Sequence, residues 1–154
     1  MGRLAFGQDK MLVTPLQMAL VASTIADRGR EPVPYLVKKV TAPGGSIVSA
    51  TRPSTLGRPI NAKTAAQLNQ MMQLVVQGGT AAGVGFPPSL HVAGKTGTAE
   101  LNLGNIYDSW FAAFAPANDP QVAVAVIVEK QPNGFGATYA APIAKAIIEN
   151  VLHR

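Results

Sequence analysis

Apolar residues crowd into a few segments, and their spacing shifts from helical to extended along the chain. Leu16, Met18, Ala19, Leu20, Val21, Ala22 and Ile25 follow Thr14, an N-cap residue. Pro15 then fits the first helical position and Gln17 can close a capping box. This pattern predicts a helix ended by Arg28 and Gly29. Its apolar positions run almost all round, so deep burial is expected. Ala65, Leu68, Met72 and Val75 share one helical face behind Asn61, which predicts a second helix through about Gln77, stopped by Gly78-Gly79. Between the two, Tyr35–Val40 and Ser46–Ser49 flank Ala42-Pro43-Gly44-Gly45 and read as a hairpin, followed by a loop to Pro59. A Gly- and Pro-rich stretch, Gly83–Ser89, reads as another loop.

The last third changes character. Leu90–Glu100, Tyr107–Ala115 and Gln121–Lys130 read as three strands with short connections, hence antiparallel neighbours. Val122–Val128 is apolar at every position, as in a central strand covered on both faces. Ala140–Leu152 closes as a helix carrying Ile143, Ile147, Ile148 and Val151. Helices and strands are partly segregated, so the predicted class is α+β, an antiparallel sheet with packed helices.

Composition adds one anomaly. Only 14% of the 154 residues are charged, against an average of roughly 25%. So few charges leave more apolar surface than one fold of this size covers. There is no Cys, which excludes disulfides, thiolate zinc sites and a thiol nucleophile. The seven apolar residues of Val122–Val128 form the longest apolar run, far short of a membrane span. The net charge of +5 is spread over separate segments, without interleaved aromatics, and does not point to nucleic acid. Two histidines, His91 and His153, give no metal signature.

The segment with chemical content is Lys95-Thr96-Gly97-Thr98. On a strand, Thr96 and Thr98 are two apart and share a face. Lys95 offers a cation for a carboxylate or a proton relay. Gly97 removes a side chain where another backbone must come close. Strand-edge N–H groups can pair with an extended substrate or hold a developing oxyanion.

Lys-Thr-Gly is also the third signature of the serine acyltransferases. Val13-Thr14-Pro15-Leu16-Gln17-Met18-Ala19 after Gly7-Gln8, Ala93–Glu100, Trp110–Pro116 and Val122–Val128 follow in the same order and spacing. Taken together, the chain resembles the C-terminal half of the transpeptidase domain of a class B penicillin-binding protein. That resemblance implies a fold shared with the serine β-lactamases. It also implies a peptidoglycan D,D-transpeptidase as parent, anchored in the bacterial membrane and facing outward. Lys95, Thr96 and Gly97 would be the signature triad. The hydroxyls of Thr96 and Thr98 would bind the carboxylate of a D-Ala-D-Ala stem peptide or a β-lactam. The backbone N–H of Thr98 would be an oxyanion donor. No metal or cofactor is implied.

The family's nucleophile is absent. Ser23, Ser46, Ser49, Ser54, Ser89 and Ser109 are followed three residues on by Ala26, Ser49, Arg52, Gly57, Val92 and Ala112, so there is no Ser-x-x-Lys. No serine has Asn two residues on, so Ser-x-Asn is missing too. The expectation is an N-terminal portion absent from this chain, and no acyl-enzyme from the chain alone. Such a chain is expected to expose an apolar face, and to dimerise, swap elements or take up the missing portion. Two other classes remain at this point. Gly94-Lys95-Thr96 could end a phosphate-binding loop, although that motif needs Gly at Ser89 and a helix beginning at the lysine. A non-catalytic interaction module derived from the same fold is the other.

Overall fold

The structure is a computed structural model and describes residues 11–101 and 104–153. Gly7-Gln8 lie outside the described residues. The chain forms α1 (Pro15–Ala26), β1 (Glu31–Pro32), β2 (Lys39–Thr41), β3 (Ile47–Ala50), β4 (Thr55–Gly57) and α2 (Ala62–Gln77). Then come β5 (Ala93–Glu100), β6 (Ile106–Ala115), β7 (Val122–Pro132) and α3 (Ala140–Leu152). Short 3-10 turns at Ala82–Val84 and Pro88–Leu90 occupy what reads from sequence as a loop.

Local signals set the helix ends. The Thr14 hydroxyl accepts from the Gln17 N–H while the Gln17 side chain accepts from the Thr14 N–H at 2.8 Å, a closed capping box. The Asn61 carboxamide accepts from the Thr64 N–H at 2.8 Å and caps α2.

Among the described residues, three antiparallel strands in the order β5-β6-β7 make the main sheet. One face buries Phe111, Ala113 and Val124 under Ala140, Ala141, Ala144 and Ile148 of α3. The other buries Ala93 and Phe114 against Ala22 of α1 and Met72 of α2. Helices on both faces explain the unbroken apolar run of β7, but among the described residues β7 lies at a sheet edge and β6 is central. The run reports cover above and below, and carries no information on lateral position.

The all-round apolar pattern of α1 overstates its burial. Ala22 faces the core, while Leu16 and Val21 are 58% and 49% exposed. Met71 and Leu74 of α2 are exposed as well. The hairpin is real but shifted, and its first strand is Lys39–Thr41 rather than Tyr35–Val40. Lys39 pairs with Ala50 and Thr41 with Ile47, and β1 pairs with β4 to continue the ribbon toward α1. All residues of β2, β3 and β4 are exposed.

Candidate active site

β5 carries the Lys-Thr-Gly segment, and its local sequence explains its shape. Its eight residues pair without a break with Tyr107–Phe114 of β6, Lys95 opposite Ala112, Gly97 opposite Trp110 and Thr98 opposite Ser109. Burial falls along the strand, with Ala93 and Gly94 buried, Lys95 exposed and Thr96 to Ala99 half-buried. Among the described residues β5 has a strand partner on one side only. A strand edge of this kind can pair with a further extended chain.

Alternation places Thr96 and Thr98 on the face of Phe111 and Ser109, and Lys95 and Gly97 on the face of Ala112 and Trp110. The two hydroxyls are thus brought together, and Lys95 is not on their face. The Lys95 ammonium turns along the strand and donates to the Thr96 carbonyl. On the lysine face runs a groove of about 720 Å³, lined by Leu12, Met18, Lys95, Gly97, Trp110 and Ile127 among others.

Two close approaches hold the strand. At Gly94 a Cβ would lie 2.4 Å from the Phe111 ring, which stacks on Phe86 with centroids 5.7 Å apart. At Gly136 a Cβ would lie 2.2 Å from the Trp110 carbonyl oxygen and 2.7 Å from that of Gly97. The 133–139 loop thus closes on the Trp110 and Gly97 backbone, whereas a Cβ on Gly97 itself would meet the Trp110 side chain at 3.0 Å and no backbone. From sequence, Gly134-Phe135-Gly136 reads only as a turn, and no local signal announces this long-range contact. Beneath the same loop, Ser109 is fully buried, and its hydroxyl is the one buried side-chain polar atom without a hydrogen-bond partner among the described residues.

The neighbouring ionisable groups have structural roles. The Lys130 N–H donates to the Asp108 carboxylate at 2.9 Å. Asp108 thereby orders a bulge in the β6–β7 ladder, where Lys130 has φ of 55°. His91 is not on a strand. It closes the Pro88–Leu90 turn at φ of 45°, its side chain exposed and its carbonyl accepting from the Ala117 N–H at 2.7 Å. The phosphate-loop alternative fails, because Lys95 lies within β5 and no helix starts there.

Comparisons with known proteins agree on one class. The family described as penicillin binding protein transpeptidase domain matches residues 1–149, and this chain belongs to that family. It is 40% identical to the peptidoglycan D,D-transpeptidase PbpA of Mycolicibacterium smegmatis, over 99% of this chain and 32% of that protein. It is 34% identical to stage V sporulation protein D of Bacillus subtilis, over 96% of this chain and 24% of that protein. Penicillin-binding protein A from M. tuberculosis, in its ceftriaxone acyl-enzyme complex, superposes with a TM-score of 0.88 at 36% identity. That match covers 96% of this chain and 34% of the other. The chain thus spans about a third or less of the length of these relatives. The α+β class expected from sequence is the one observed. Among the described residues no helix is long and apolar enough to cross a membrane.

Proposed function

We propose that this chain is the C-terminal portion of the transpeptidase domain of a peptidoglycan D,D-transpeptidase, acting on the outer face of the bacterial membrane. The observation that carries this reading is Lys95-Thr96-Gly97-Thr98 on a strand beside a groove, at the edge of the sheet among the described residues. In the reaction, a serine from the remainder of the domain attacks the carbonyl of a D-Ala-D-Ala stem peptide and expels D-Ala. An amine of a neighbouring stem peptide then takes the acyl group. The residues of this chain bind and polarise. Thr96 and Thr98 donate to the substrate carboxylate, Lys95 supplies positive potential for that carboxylate and for the proton relay, and the Thr98 N–H stabilises the oxyanion. A β-lactam presents the same carboxylate and carbonyl. Similarity to proteins solved as ceftriaxone, imipenem and penicillin G acyl-enzymes supports β-lactam binding.

Because no serine here has lysine three residues on, the chain alone forms no acyl-enzyme. Its exposed Leu16, Val21, Met71 and Leu74 then meet either the rest of the domain or a second copy. The test is fluorescent penicillin labelling that survives boiling in detergent. The longest natural product of the gene is labelled, the 154-residue chain is not, and Lys95→Ala removes most labelling of the longer product. Labelling of the chain alone refutes the assignment of the nucleophile elsewhere. A gene with no Ser-x-x-Lys upstream in frame supports instead the non-catalytic interaction module.

A further inference from the structure

Thr80 lies outside the signature segment, yet its hydroxyl oxygen is 2.7 Å from that of Thr96. Its position is fixed on both sides. A Cβ at Gly79 would lie 2.8 Å from the Val75 Cα, so only glycine lets the chain fold back on the last turn of α2. Ala81 is fully buried and donates its N–H to the Val75 carbonyl at 3.0 Å. Between these anchors Thr80 is exposed, with its hydroxyl aimed at β5.

A hydroxyl has one proton to donate and two lone pairs. A carboxylate only accepts. If Thr96 donates its proton to a substrate carboxylate, the Thr80–Thr96 bond must run the other way, with Thr80 donating and Thr96 accepting. We infer that Thr80 is a positioning residue for carboxylate recognition: it fixes the direction of the Thr96 hydroxyl and, through the relay Thr80 to Thr96 to carboxylate, strengthens the bond to substrate. This inference rests on the carboxylate-binding role proposed for Thr96, and it adds a residue that the Lys-Thr-Gly signature does not contain.

The experiment measures second-order acylation of the longest natural gene product by a penicillin and by the methyl ester of the same penicillin. Thr80→Val keeps the shape and removes the donor. It is expected to slow acylation by the free acid roughly threefold to tenfold, the worth of one net hydrogen bond, and to leave the ester rate unchanged. Thr80→Ser restores the acid rate. Equal acid rates in wild type and Thr80→Val overturn the inference while leaving the functional reading intact. So does a loss shared equally by acid and ester, which is a general structural effect, and so does a serine variant that rescues nothing. A wild-type product that neither substrate acylates refutes the functional reading, and this inference falls with it.

Discussion

Gly136→Ala tests whether the 133–139 loop holds the binding strand. The new methyl carbon would stand 2.2 Å from the Trp110 oxygen, 2.7 Å from the Gly97 oxygen and 3.0 Å from the Gly97 nitrogen. Carbon–oxygen contacts normally stop near about 3.3 Å, so one backbone must retreat by about 1 Å. Neither is free to move. Trp110 and Gly97 are cross-strand partners inside the β5–β6 ladder. The Gly136 carbonyl accepts from the Ala141 N–H at 2.8 Å, which ties the loop to the first turn of α3. Overpacking of this kind costs about 1–3 kcal/mol, and the double anchoring puts this site at the upper end. For a chain of this size each kcal/mol lowers Tm by roughly 2–4 °C. Urea unfolding followed through the fluorescence of Trp110, the single tryptophan, measures the loss at the strand concerned. Gly44→Ala is the control, since nothing lies within 4 Å of a Cβ at that turn, and it should stay within about 0.5 kcal/mol of wild type. If Gly136→Ala also stays within that range, the loop does not brace the strand.

Two further substitutions probe the layer under the site by the same unfolding measurement. Phe111→Ala empties the fully buried space beneath Gly94 and should cost about 3–5 kcal/mol, with a loss under about 1 kcal/mol contradicting the packing described. Ser109→Ala removes a buried hydroxyl that has no partner among the described residues, so stability should hold or rise by up to about 1 kcal/mol. A clear fall would mean that the hydroxyl is paired.

Elements whose signals are local were legible from the amino-acid sequence. The capping box at Thr14 and Gln17 and the Asn61 cap mark where two helices begin, because each signal and its consequence lie within four residues. The closing helix Ala140–Leu152 was readable from its apolar residues and its bounds are those expected, but Ile143, Ile147 and Val151 are exposed, while Ala140, Ala141, Ala144 and Ile148 face the core. Lateral order in the sheet was not readable. An apolar run at Val122–Val128 states that both faces are covered, and helices do that for an edge strand as well as for a central one. The burial of α1 was overstated for a related reason. Its pattern records a surface to be covered on all sides, and within the described residues the sheet and α2 cover only part of it.

The site divides along the same line. Lys95-Thr96-Gly97-Thr98 is contiguous, so one glance at the sequence finds it, and strand alternation already assigns its two faces. What steadies it is remote in the chain. Thr80 reaches Thr96 across sixteen residues, Phe111 fills the space over Gly94 from the next strand, and Gly136 closes on Gly97 from beyond β7. Glycines at 79, 94 and 136 look alike in a sequence, each readable as a turn or a strand break. In the structure each is small because a different neighbour, the α2 backbone, an aromatic ring or a strand carbonyl, occupies the place of its side chain. The chemistry of the motif is therefore local, while the precision with which its hydroxyls and N–H groups are held is a property of the fold. Substitutions at Thr80 and Gly136 separate the two, since both leave the Lys-Thr-Gly residues untouched.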